Sequence, residues 1–117
     1  MTMNAVAQMV QPVDRGVVII GTIYTDTLRG GSGDDYLAGS DGNDLVEGSA
    51  GNDSILGENG ADTVYGGSGD DSVFGNAGAD VLDGGAGADR LSGGDDDDAL
   101  FGGADADLIY GGNGLDR

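Results

Sequence analysis

The chain has 117 residues, 22 acidic against four basic side chains, a formal net charge of −18, and neither cysteine nor histidine. That balance argues against nucleic acid or an anionic membrane as partner, because both would be repelled over most of the surface. It also excludes disulfides, thiolate metal sites and the imidazole that most often serves as general base or zinc ligand. Residues 1–16 are weakly patterned and expected to be irregular. Met1 to Val13 has no basic start and no apolar run long enough for a secretory signal, and nothing in the chain is long and apolar enough to span a membrane. Val17-Val18-Ile19-Ile20 is β-branched throughout and predicts a strand that caps the residues after it.

A nine-residue period then takes over. Gly21 to Arg29 keeps the period but has Tyr24 where later units have glycine, so residues 17–29 read as a capping strand and a degenerate first repeat. Nine regular units run without a break from Gly30 to Tyr110, and a truncated unit, Gly111 to Arg117, ends the sequence. Glycine makes up 26 residues, far above its usual share of about 7%. Disorder would give such a composition, but not this order. Position one of every unit is glycine, position six is aspartate and position eight is aliphatic, from Leu28 through Val73 to Ile109. Position four is glycine except at Asp96 and Asp105. Each unit reads as six residues of turn followed by three of strand. Because neighbours in a strand alternate faces, position eight points inward and positions seven and nine outward.

The pattern Gly-Gly-x-Gly-x-Asp-x-U-x, with U a large aliphatic, resembles the RTX (hemolysin-type) calcium-binding nonapeptide repeat, and the likeness covers about residues 20–117. The resemblance implies an all-β fold, a right-handed parallel β-roll over residues 30–117, with two nonapeptides per turn and Ca²⁺ in the stacked turns. The side-chain ligands it implies are Asp35, Asp53, Asp71, Asp89 and Asp107 on one edge and Asp44, Asp62, Asp80, Asp98 and Asp116 on the other. Backbone carbonyls of Gly30, Gly31, Gly33, Gly39, Gly42, Gly48, Gly51, Gly57, Gly60, Gly66, Gly67 and Gly69 are expected to complete the sites, with those of Gly75, Gly78, Gly84, Gly85, Gly87, Gly93, Gly94, Gly102 and Gly103.

The residues support this in their own right. Ca²⁺ takes about six to eight oxygens, and a glycine-rich turn offers carbonyls at close approach. Adjacent parallel strands lie about 4.8 Å apart, so an ion between stacked turns reaches oxygens of both layers. Aspartates 18 residues apart fall over one another, each expected to give one oxygen to each of two ions. Four pairs per edge make eight sites, and a ninth between Asp26 and Asp44 is disfavoured by the Tyr24 turn. Eight divalent ions would reduce the formal −18 to about −2. The turns carrying Asp96 and Asp105 are expected to be the weaker sites.

Other readings fit less well. An EF-hand needs flanking helices and a glutamate at loop position twelve. Asn52-Asp53-Ser54 matches a glycosylation sequon but lies inside a repeat turn. Ice-binding solenoids present threonine rows that the regular units lack, and an ice-binding or an adhesive or spacer Ca²⁺-dependent solenoid stands as the alternative. With neither histidine nor cysteine, and the aspartates committed to metal, no nucleophile–base pair is visible and no enzymatic role is expected. Outward aromatic pairs, Tyr65 with Phe101 and Phe74 with Tyr110, are read first as surface packing and second as a partner stripe. The resemblance further implies one-step export and folding outside the cell. The stop at Arg117 in mid-repeat leads us to expect a larger parent chain, such as a toxin, protease, lipase or epimerase. Partners other than Ca²⁺, beyond such a parent chain or a secretion apparatus, and the oligomeric state are not set by the sequence.

Overall fold

The computed structural model describes residues 5–8 and 16–117, with side chains placed from Gly16 onward. Among the described residues every regular element is a strand. The odd-numbered ones are β1 (Ala5–Gln8), β3 (Asp26–Gly31), β5 (Leu45–Ala50), β7 (Thr63–Ser68), β9 (Val81–Ala86) and β11 (Ala99–Ala104). The even-numbered ones are β2 (Val18–Ile20), β4 (Tyr36–Ala38), β6 (Ser54–Asn59), β8 (Ser72–Ala77), β10 (Arg90–Asp95) and β12 (Leu108–Gly112). Odd strands form one six-stranded sheet in the order β1-β3-β5-β7-β9-β11, and even strands form the other in the order β12-β10-β8-β6-β4-β2. All pairing is parallel. The chain thus alternates between two sheets and adds one strand to each per turn, which is the parallel β-roll with two nonapeptides per turn that the repeat implies.

Register explains why the period matters. Val46 pairs with Val64, Ile55 with Val73 and Val64 with Leu82, each an offset of 18 residues. Position eight of each unit therefore stacks on position eight two units on. Leu28, Leu37, Val46, Ile55, Val64, Val73, Leu82 and Leu91 are fully buried between the sheets in one continuous core. Two aliphatic side chains per turn make a thin core, and the position-six aspartates line its edges.

Two expectations are corrected. The strands are longer than the three residues of positions seven to nine. β8, for example, runs Ser72 to Ala77 across the unit boundary, because Glu58–Asn76 and Asn59–Ala77 stay in register beyond the glycine. The turn shrinks to positions four to six. Nor are residues 1–16 irregular throughout: Ala5–Gln8 forms β1 and pairs with β3, Ala5 opposite Asp26. That offset of 21 lies outside the nonapeptide register, so periodicity could not reveal it. The free edge of β3 accepts any extended segment that reaches it. The remaining residues of that stretch lie outside those described.

The Val17–Ile20 strand is seen as β2, the outermost strand of its sheet, with Val17 and Ile19 buried and Val18 and Ile20 outward. At the other end Ile109 occupies the core column yet is 45% exposed, since no further turn lies on it. Ile55→Ala should accordingly cost about 2–5 kcal/mol of unfolding free energy, whereas Ile109→Ala should cost about 1 kcal/mol or less. Denaturant midpoints measured side by side on the folded protein check this, and equal losses would contradict the core assignment.

Candidate metal centre

Parallel stacking brings the position-six aspartates into two ladders. On one edge the backbone N–H groups of Asp35, Asp53 and Asp71 donate to Oδ1 of Asp53, Asp71 and Asp89, each at 2.8 Å, and Asp89 donates to Asp107 at 2.9 Å. On the other edge Asp26, Asp44, Asp62 and Asp80 donate to Oδ1 of Asp44, Asp62, Asp80 and Asp98 at 2.8 Å, and Asp98 donates to Asp116 at 3.0 Å. All ladder members from Asp26 to Asp98 are buried, while Asp107 and Asp116, in the last turn, are half-buried.

One oxygen of each carboxylate is left over. Oδ2 of Asp35, Asp44, Asp53, Asp62, Asp71, Asp80, Asp89 and Asp98 is buried and accepts no hydrogen bond. A buried carboxylate oxygen without a donor is costly unless a proton or a cation meets it. Because Oδ1 is already engaged with the preceding turn, Oδ2 alone is unpartnered, where two free oxygens per inner aspartate were expected.

The invariant glycine at position one has a different cause from the glycines of the turn. Gly66 has an ordinary φ, but a Cβ there would lie 2.6 Å from Oδ2 of Asp71 and 2.7 Å from the carbonyl oxygen of Gly84. The missing side chain is the space that the carboxylate occupies. Position four combines two constraints: Gly51, Gly60, Gly69, Gly78 and Gly87 have φ from 111° to 119°, and a Cβ on any of them would meet the position-four carbonyl of the preceding turn. Asp96 and Asp105 in the same slot have φ of 77° and 78°, and their Oδ2 atoms accept from the N–H of Gly78 and Gly87 in the preceding turn. Aspartate tolerates the left-handed region at a cost of about 1–2 kcal/mol. Gly66→Ala should therefore destabilise the roll by about 1–3 kcal/mol through crowding and disturb the Asp71 carboxylate. Chemical denaturation compared with an alanine at Ser72, on the outer face of β8, tests this, and an equal effect would contradict the cradle.

The carbonyls divide by position. Position-six carbonyls, such as those of Asp35, Asp44 and Asp53, accept strand N–H groups, and position-three carbonyls of Ser68, Ala77 and Ala86 accept the N–H of position four one turn earlier. Among the described residues no backbone N–H donates to the position-four carbonyls of Gly51, Gly60, Gly69, Gly78 and Gly87. Nor do three acidic side chains converge as a metal cage among those residues. A cation here must draw on backbone oxygens as well as carboxylates, and Ca²⁺ is the common ion that accepts such a mixed oxygen shell.

The ladder perturbs its own acidity. Burial pushes Asp53, Asp62 and Asp80 up to about 7 and Asp44 and Asp71 up to about 6, against the hydrogen bond each accepts from the backbone. Burial raises Asp89 and Asp98 as well, and the next aspartate along the column adds to the rise in both. For the metal-free roll the sign follows directly. Acids whose folded pKa lies above the unfolded value impose no penalty below about 4, and the full penalty once pH exceeds about 7. The chelated chain should gain β structure as pH falls from about 8 towards 5 and lose it on return. Far-UV circular dichroism in chelator checks this; a β signal that rises with pH would contradict it.

At the N-terminal side only the Asp26 ladder ends without an unpaired oxygen, since Asp35 on the other edge keeps an unpartnered Oδ2. On one edge Val17 takes the aspartate slot, its N–H donating to Oδ1 of Asp35 at 2.7 Å. On the other, the carboxylate of Asp26 accepts the N–H of Thr22 and the Thr22 hydroxyl, the latter at 3.0 and 3.1 Å. Thr22 supplies the donors that Asp35 to Asp98 lack at Oδ2. Sequence reasoning missed this pair, although Thr22 stands where most units carry glycine. It also missed a second ladder at position five. Oδ1 of Asp34, Asn43, Asn52, Asp70 and Asp97 accepts the N–H one turn later, opposite in direction to the position-six ladder. Its signal was the recurrence of Asp and Asn at that position.

The repeat, the roll and the paired ladders together define a solenoid of calcium-binding repeats. The RTX calcium-binding nonapeptide repeat model matches residues 20–55, 56–91 and 83–117, and the chain belongs to that family. Neither the curated proteins nor the solved structures compared with the chain yield a match.

Proposed function

We propose that the protein is a calcium-folded module whose position-six aspartates and glycine-turn carbonyls hold about eight Ca²⁺ ions, four along each edge. The observation that carries this reading is the set of eight buried Oδ2 atoms without a partner, each beside a glycine or strand end that leaves it room, as Gly66 does for Asp71. Asp35 to Asp98 supply these oxygens, Asp107 and Asp116 close the two columns, and position-four carbonyls such as those of Gly51 and Gly69 complete the shell. Bound calcium supplies the positive charge that buried carboxylates need near neutral pH. Mg²⁺ is a poor substitute, because it demands a tight octahedron and holds its waters.

Folding is coupled to binding in this reading. The core adds only two aliphatic side chains per turn of 18 residues, while the ionised aspartates repel along each column. Low intracellular calcium then leaves the chain unfolded and millimolar external calcium folds it, as suits sites of about 10⁻⁴ M or weaker. The family likeness supports a secreted, non-catalytic role, exported in one step and folded outside, as part of a larger protein.

Isothermal titration with Ca²⁺ at neutral pH should give about eight ions in a cooperative transition, with circular dichroism changing from disordered to β. Mg²⁺ should not reproduce it. Asp71→Ala, in mid-column, should raise the calcium midpoint more than Asp116→Ala at the column end. A full β signal in excess chelator at about pH 7.5, or fewer than about three ions bound, would overturn the reading.

A further inference from the structure

The outer faces of the two sheets differ in charge. On the even-numbered sheet, position nine reads Ile20, Ala38, Leu56, Phe74, Ser92 and Tyr110, and position seven reads Val18, Tyr36, Ser54, Ser72, Arg90 and Leu108. In a chain of net charge −18, these two columns hold no carboxylate and a single cation, Arg90. The matching columns of the odd-numbered sheet include Glu47 and Asp83. The even face is also apolar where it is most open: Val18 is 62% exposed, Ile20 60%, Tyr36 41%, Leu108 43% and Tyr110 56%.

We infer that this face is the interface between two copies of the chain, packed sheet on sheet about a two-fold axis parallel to the strands. The occupant follows from charge and register. Two strongly acidic molecules can meet here without bringing carboxylate columns together, and Glu58, at position two, lies only at the rim. A half-turn about an axis between β6 and β8 reverses strand order, so β2 lies over β12, β4 over β10 and β6 over β8 of the second copy. Val18 and Ile20 then meet Leu108 and Tyr110, and Leu56 meets Phe74. The Arg90 guanidinium lies over the ring of Tyr36, a cation–π pair that uses the face's single charge. Strands β6, β8 and β10 have six residues, β12 five, and β2 and β4 three, so strands about 4.8 Å apart overlap on the order of 400 Å². Two copies together bury about 800 Å², the size of a weak, reversible contact.

Sedimentation velocity of the full chain in excess calcium, from about 1 to about 100 μM, tests this. A monomer–dimer equilibrium is expected. Phe74→Glu, which places a charge at the centre of the face, should weaken it at least about 30-fold. Phe101→Glu, 55% exposed on the odd sheet, should leave it unchanged. Circular dichroism of each sample reports folding separately, so a β-rich monomer at every concentration overturns the dimer and leaves the calcium reading standing. Equal effects of both substitutions would also overturn it. Species larger than a dimer that survive Phe74→Glu would overturn it in favour of edge pairing at β11 and β12. Should Phe74→Glu lose β signal, Tyr36→Ser on the same face replaces it, with the same loss of dimer expected.

Discussion

The structure depends on a carboxylate that is half satisfied. In each ladder position from Asp35 to Asp98 one oxygen accepts a backbone N–H at 2.7–2.8 Å, and the other is buried with no donor. The first bond is a normal gain, since it ties each turn to the next. The second oxygen is a liability, because desolvating an unpaired charge costs more than one hydrogen bond returns. Evolutionary removal would be simple, as asparagine or serine could keep the N–H bond without the charge. Aspartate at this slot in every unit makes sense only where something outside the chain neutralises it.

That single requirement orders the rest. Glycine at position one is a steric consequence of where Oδ2 sits, not of backbone strain. Glycine at position four follows both from positive φ and from the carbonyl of the preceding turn that a Cβ would meet. Position two shows what happens without it: Ser40, Ser49, Glu58 and Asn76 hold φ between 76° and 86°, against 97° to 118° for the glycines there. A Cβ draws the backbone towards the left-handed well, and the turn still closes. Positions two and four thus hold other residues where the backbone shifts to a smaller positive φ, whereas position one holds none in this chain. The aliphatic residue at position eight comes last, filling the gap that two sheets leave between the ladders.

Much of this was legible because period is a structural ruler. An 18-residue turn follows from the nonapeptide once two units share a turn, and register, core column and stacked aspartates follow from it. Less legible were features that depend on atoms rather than residue types. The split of each carboxylate into a bonded Oδ1 and a free Oδ2 has no trace in the sequence. Nor does the strand's extension through positions one to three, since glycine argues against strand by propensity while the parallel ladder holds it there. Ala5–Gln8 was invisible for a different reason: it pairs at an offset of 21, where no repeat pattern reaches. The Thr22–Asp26 contact lay in plain sight as a departure from the unit, but a departure alone does not say what replaces the missing function.

The two ends of the stack meet the demand of the buried carboxylate in opposite ways. At the N-terminal end the protein substitutes its own groups for what the repeats lack: an apolar Val17 in one carboxylate slot and Thr22 donors on Asp26 in the other. On the Asp26 edge no carboxylate oxygen is left over there, whereas Asp35 on the other edge keeps its unpartnered Oδ2. At the opposite end Asp107 and Asp116 are half-buried and Ile109 is open. In the calcium-folding reading, the turn around Thr22 starts with part of its electrostatic cost removed, and the carboxylates from Asp35 onward are left to be neutralised from solution.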